Sequence, residues 1–129
     1  MDRLKEIISN IKLVLDHTHE GIVICDHECK IVYANEANER LTGFENKFIL
    51  GKNALELVPN SSFLEVIKTK KEKLRAKTWV GDRYIISNIV PIFDKGEIIG
   101  SISIFMNITD VRALNDKIRQ MKGQINYLS

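Results

Sequence analysis

Hydrophobic residues recur along this chain in two periods, and the switches between them mark out its elements. From Asp2 to about His17, Leu4, Ile7, Ile8, Ile11, Val14 and Leu15 fall three and four apart, with Lys5, Glu6, Lys12 and Asp16 on the remaining face. That spacing predicts an amphipathic helix. The period then shortens. Gly21 to Asp26 and Lys30 to Tyr33 are β-branched runs separated by a turn-sized gap, which predicts a hairpin. Asn35 stands where an N-cap belongs and Gly43 where a helix stops, so a short helix is expected between them. Short, poorly periodic pieces follow as far as Pro59. Ser62 and Glu65 then have capping-box spacing, predicting reciprocal side-chain caps and a helix from Ser62 to about Lys73.

Strand-like runs return at Leu74 to Val80, Tyr84 to Phe93 and Glu97 to Asn107, separated by the turn signals Gly81-Asp82 and Asp94-Lys95-Gly96. Gly100, inside the last run, predicts a bulge or a close backbone approach. Thr109-Asp110 caps a final helix in which Val111, Leu114, Ile118, Met121, Ile125 and Leu128 form a heptad seam. Strands on both sides of a helical middle do not make a parallel βαβ sheet. The expected fold is α+β, a five-stranded antiparallel sheet with helices on one face, flanked by N- and C-terminal amphipathic helices. The predicted parts are an N-terminal helix (1–17), the domain proper (18–110) and a C-terminal helix (111–129).

Alternation along the last run places Ile98, Gly100, Ile102, Ile104 and Met106 on one face, and Ile99, Ser101, Ser103 and Phe105 on the other. The purely apolar face is expected to be the core. In the preceding strand Tyr84, Ile86, Asn88, Val90 and Ile92 share a face. A buried Asn88 would have to meet either a ligand or neighbouring backbone. The candidate small-molecule pocket is therefore Asn35, Phe48, Trp79, Ile86, Asn88, Ile102 and Ile104, with a dry, fully packed interior as the alternative.

Composition narrows the class. A length of 129 residues suits one domain, and 44% hydrophobic with 28% charged residues excludes disordered and low-complexity chains. A net charge of +2 does not mark a nucleic-acid binder. The basic cluster Lys68, Lys70, Lys71, Lys73, Arg75 and Lys77 lacks interleaved aromatics and reads as a solvated face. Neither a signal peptide nor an 18-residue apolar run is present, so a cytoplasmic protein with no membrane contact is expected. The pattern ends at Ser129 inside an unfinished helix, which suggests a piece of something longer.

Chemistry is poorly represented. There is no G-x-G-x-x-G and no G-x-S-x-G, and the Gly43 to Lys52 stretch is too long for a P-loop and lacks its Ser or Thr. His17, His19, Cys25 and Cys29 offer zinc-type ligands. The plainer reading makes Cys25 a small buried residue, Cys29 a turn residue and both histidines solvated. No metal site is assigned.

Three stretches, in order, resemble the PAS domain, a sensory module of bacterial signalling proteins. They are Gly21-Ile-Val-Ile-Cys-Asp26 with Ile31-Val-Tyr-Ala-Asn35, Ala37 and Arg40-Leu-Thr-Gly-Phe44; Pro91-Ile-Phe-Asp94 with Gly96, Ile98, Ile99 and Gly100; and Asn107-Ile-Thr-Asp110. Two departures stand out: Cys29 where the first turn usually carries Gly, and Asn107 where the signature carries Asp. The resemblance implies a non-catalytic sensory and dimerisation domain with Asn107, Ile108, Thr109 and Asp110 as its signal relay. Haem-binding relatives usually carry a His on the middle helix, and light-sensing ones a Cys in the middle helical region. Haem and a covalent flavin are therefore disfavoured, and the cofactor stays unknown. A homodimer is expected through Leu4, Ile8, Ile11 and Leu15 of the first helix and Leu114, Ile118, Met121 and Ile125 of the last. For the first helix, capping its own sheet is the alternative. The expected output is an NtrC-type transcription activator, with a cytoplasmic histidine kinase or a ligand-free interaction domain as alternatives.

Overall fold

Between residues 2 and 107, ten elements are ordered as the hydrophobic periods predict. The computed structural model describes residues 2–107, 115 and 118–122. Helix α1 (Asp2–Leu15) precedes the hairpin β1 (Gly21–Asp26) and β2 (Ile31–Ala34). Four short helices follow, α2 (Glu36–Thr42), α3 (Asn46–Ile49), α4 (Ala54–Leu57) and α5 (Phe63–Thr69). Strands β3 (Lys73–Val80), β4 (Arg83–Asp94) and β5 (Glu97–Asn107) complete one antiparallel sheet in the order β2-β1-β5-β4-β3. The last strand in sequence is thus the middle strand in space.

Local chemistry sets most boundaries. Asn35 has extended backbone and its side chain accepts from the Asn38 amide, starting α2; Gly43, at φ 82°, ends it. Buried Asp26 shapes the first turn by accepting from the amides of Glu28 (2.9 Å) and Lys30 (3.0 Å). Cys29 occupies the left-handed region there, at φ 67°. The departure from Gly therefore keeps the glycine geometry and carries the steric cost of a Cβ. Gly100 is a close approach: a Cβ there would collide with the Cys25 carbonyl. Beside it the β4–β5 register shifts, Ile92 facing Gly100 and Phe93 facing Ile98, which leaves Ile99 as the bulged residue.

The middle helix departs from expectation. It ends at Thr69 rather than Lys73, because Lys70 turns left-handed at φ 59°. The capping box does not form. Ser62 is not extended (φ −85°, ψ 6°), so its hydroxyl makes no cap; Ser61 Oγ accepts from the Phe63 amide instead (3.3 Å). Glu65 is drawn away to Lys73, 2.8 Å distant.

Helices also cover both faces of the sheet rather than one. On the inner face α2 to α5 enclose Val23, Cys25, Val66, Ile85, Ile89 and Phe105. On the outer face α1 buries Leu4, Ile8 and Leu15 against Ile22, Ile24 and Tyr33. The assignment of faces from alternation is thereby reversed. Ser101, Ser103 and Phe105 point into the helix-covered core, while Ile104 and Met106 are exposed on the outer face.

Candidate functional site

The inner face does not close completely. A cavity of about 80 Å³ lies between the sheet and the short helices. Its floor is the sheet: Thr78 and Ala76 from β3, Ser87 and Ile85 from β4, Ser103 and Phe105 from β5. Its walls come from Asn38 and Thr42 of α2, Ile49 of α3, Ala54 of α4 and Phe63 of α5. Small residues on three adjacent strands create the space. In register, Ser87 faces Phe105 and Ser103 faces both Ile89 and Val23, so short side chains alternate with long ones. The short helices cannot follow the sheet closely enough to fill what the serines leave.

The polar groups around this space are neutral. None of the twenty lining residues carries a charge, and none is His or Cys. Several are already occupied: Thr42 Oγ1 donates to the Asn38 carbonyl (2.6 Å), Asn38 Nδ2 to Asn46 Oδ1 (2.9 Å), and Ser87 Oγ to the Ala76 carbonyl (3.3 Å). Thr78 differs. Its hydroxyl oxygen is buried and has no hydrogen-bond partner. A buried polar group without a partner is uncommon and costly.

The seven residues predicted to form a pocket are placed elsewhere. Asn35 is buried and structural. Its Nδ2 donates to the carbonyls of Leu15 (3.1 Å) and Glu20 (3.0 Å) and to Thr18 Oγ1 (3.0 Å). Its Oδ1 accepts from the amides of Ile22 (2.9 Å) and Asn38 (3.0 Å). Phe48 is 57% exposed beneath the Lys52 ammonium, and Trp79 is 60% exposed against Tyr84. Ile102 packs under α1. Ile86, Asn88 and Ile104 do meet, in an open depression of the outer face beside Arg75 and Met106. Asn88 there is exposed and accepts from the Arg75 amide (2.9 Å), so neighbouring backbone satisfies it. For Ile86, Asn88, Ile102 and Ile104 this follows from the reversed faces of β4 and β5. The signal for Thr78, Ser87 and Ser103 was the run of small polar residues at alternate positions of neighbouring strands.

Cys25 and Cys29 are both buried, and burial raises both thiols above the ordinary range. That makes them poor nucleophiles. Among the described residues no group of three His, Cys, Asp or Glu converges on one point. His17 Nδ1–H instead donates to the Leu13 carbonyl (2.7 Å) at the end of α1. The basic cluster is exposed, and its β3 members lie on an edge strand, where charge discourages pairing with another sheet.

At the N-terminal helix the alternative reading holds for three of four positions. Leu4, Ile8 and Leu15 are buried on the chain's own sheet, and only Ile11 stays exposed, joined by Leu13 and Val14. Tyr33 fastens the end of α1 by donating to Asp16 Oδ1 (2.6 Å), while Lys12 pairs with Asp16 Oδ2 (2.8 Å). Of the predicted relay, Asn107 closes β5 opposite Ile85, whereas Ile108, Thr109 and Asp110 lie outside the described residues. Ile118 and Met121 are helical and exposed; Leu114 and Ile125 lie outside the described residues.

Comparison with known proteins follows the same lines. A family model described as PAS domain matches residues 19–110. A probable C4-dicarboxylate sensor kinase of Halalkalibacterium halodurans is 28% identical over 127 residues, covering 98% of this chain and 24% of the relative. Sensor histidine kinase DcuS of Escherichia coli K12 is 28% identical over 120 residues, covering 88% of this chain and 21% of the relative. The chain thus spans between a fifth and a quarter of these relatives. The PAS domain of Bordetella pertussis BvgS superposes with a TM-score of 0.64 at 20% identity, over 91% of this chain and 98% of that one. The relatives' names speak for the kinase output held as an alternative, and neither supports the expected transcription-activator output. Among the described residues no helix is long and apolar enough to cross a membrane.

Proposed function

The chain belongs to the PAS domain family, and from that premise we propose that it is the cytoplasmic input domain of a two-component sensor histidine kinase. The module itself is sensory and non-catalytic. One observation supports the mechanism: β5, the middle strand, meets the cavity on one side and α1 on the other. Its inner side chains Ser103 and Phe105 line the cavity, its outer Ile102 packs beneath α1, and it runs out at Asn107 toward the relay. A molecule that enters the cavity and presses on Ser103 or Phe105 shifts the strand that supports α1 and leads to the output. That differential contact is what biases two packings of the domain.

The C4-dicarboxylate in one relative's name is not assigned to this cavity. Burying a dianion without a cation costs several kcal/mol per charge, and no cation lines the space. The domain acts as a homodimer in this reading. Ile11 and Val14 of α1 and Ile104 and Met106 of the outer face remain exposed and apolar, and a second copy would cover them. Val14→Glu should halve the mass seen by light scattering; a dimeric mass unchanged by both Val14→Glu and Ile118→Glu overturns this interface, and a monomeric mass for the parent chain overturns the dimer. Autophosphorylation of the full-length protein that carries this chain tests the output. A histidine that takes label from ATP is expected. Folded protein that takes none overturns the kinase reading.

A further inference from the structure

We infer that the inner cavity takes a small neutral molecule, mostly hydrocarbon, carrying one hydrogen-bonding group that meets the free hydroxyl of Thr78. This deepens the sensing role proposed above and rests on it. Three observations converge. The first is size: about 80 Å³ holds roughly five to eight water-sized groups. The second is charge. Every lining residue is neutral, and thirteen of the twenty are apolar, so an ion entering here would be desolvated with nothing to repay it. The third is the orphaned Thr78 oxygen. Of the lining side chains, Thr42, Asn38 and Ser87 have partners inside the protein, whereas Thr78 Oγ1 is buried with none. A hydroxyl can donate to a carbonyl or accept from a hydroxyl, so a ketone, aldehyde or alcohol completes it and a pure hydrocarbon does not.

The arrangement also explains the serines. Ser87 and Ser103 keep the sheet floor low on either side of Phe105. Valine or isoleucine in their places would have supplied ordinary core packing and no room. Thr78 stands on the edge strand β3, and Ala76, two residues before it, also lines the cavity.

Amide chemical shifts of the 129-residue chain, titrated with cyclopentanone, cyclopentane and succinate at matched concentrations, test the inference. Cyclopentanone should shift the amides of Thr78, Ser87 and Ser103, and cyclopentane should shift the same amides with weaker affinity. Succinate should leave them in place. Thr78→Val keeps the shape and removes the hydroxyl. It should weaken cyclopentanone about fivefold, the worth of one ordinary hydrogen bond, and leave cyclopentane unchanged. Ala76→Leu should abolish both, with Ser103→Val as a second blocking variant should the first fail to fold. Shifts of these amides by succinate, or none by cyclopentanone in the parent chain, overturn the ligand class. Equal weakening of both neutral probes by Thr78→Val overturns the role of Thr78.

The sensing role fails separately. If cyclopentanone binds but Ala76→Leu leaves autophosphorylation of the full-length protein unchanged, the ligand class stands and the sensing role falls. If the blocked variant changes autophosphorylation while the chain binds only succinate, the reverse holds.

Discussion

Beneath α1 the outer face of the sheet offers Ile22, Ile24 and Ile102 to Leu4, Ile8 and Leu15, branched residues on both sides, and they close on one another. On the inner face β3, β4 and β5 offer Ala76, Ser87 and Ser103 to four helices of four to seven residues, and a cavity remains. One helix of fourteen residues covers the outer face with a single apolar stripe, Leu4, Ile8 and Leu15. On the inner face four short helices, two of them capped by Asn35 and Asn53, cover the sheet in pieces. The outer contact therefore contributes packing, and the inner contact gives up packing for space. The difference shows where this protein invests stability and where it leaves room for a ligand.

Asn35 is the residue that belongs to both faces, since one amide group ties the end of α1 and the 16–20 linker to the first turn of α2. Asn35→Ala should be the most damaging change, costing about 4 kcal/mol in urea unfolding because several buried groups lose partners together. A loss below about 1 kcal/mol would mean that the two faces are held together elsewhere. Leu4→Ala tests the packed side alone. Leu4 is 1% exposed, and its truncation should cost about 3 kcal/mol. By contrast Ala76→Leu, entering existing space, should not lower the melting temperature. Equal damage from the two would erase the contrast between the faces.

Tyr33→Phe sharpens the comparison through pH. The hydrogen bonds from Lys12 and Tyr33 hold the Asp16 carboxyl below its ordinary value, while burial and then the bond to Asp16 hold the Tyr33 phenol above its own. A lowered carboxyl contributes stability above its unfolded value near 3.9, lost as pH falls through the folded value; a raised phenol contributes below its unfolded value near 10, lost as pH rises toward the folded one. The variant should therefore be weaker by about 1 kcal/mol between about pH 5 and pH 9. The gap should narrow in acid and again in strong alkali. A gap independent of pH would show that the hydroxyl matters only by its size.

Smallest is the β4–β5 turn, where Lys95 sits left-handed at φ 51° before Gly96 at φ 83°. Asparagine tolerates that region better, so Lys95→Asn should stabilise by about 0.5 kcal/mol without touching either face. A destabilised variant would assign the Lys95 side chain a role that its exposure does not suggest.

Much of this architecture was legible along the chain. The spacing of Leu4, Ile8 and Leu15 dictates α1, Asn35 and Gly43 bound α2, and Gly81-Asp82 and Lys95-Gly96 punctuate the three strands, because these signals act over a few residues and need no distant partner. Alternation also sorts β5 into Ile102, Ile104 and Met106 on one side and Ser101, Ser103 and Phe105 on the other. What alternation does not carry is the sign. A period of two identifies two faces, and where helices cover both, the more apolar one need not be the interior. Only the tertiary structure decided that α1 lies on the isoleucine face and the short helices on the serine face. That choice moved the cavity from Ile86, Asn88, Ile102 and Ile104 to Thr78, Ser87 and Ser103. It also turned Asn35 from a pocket residue into the joint between the two faces.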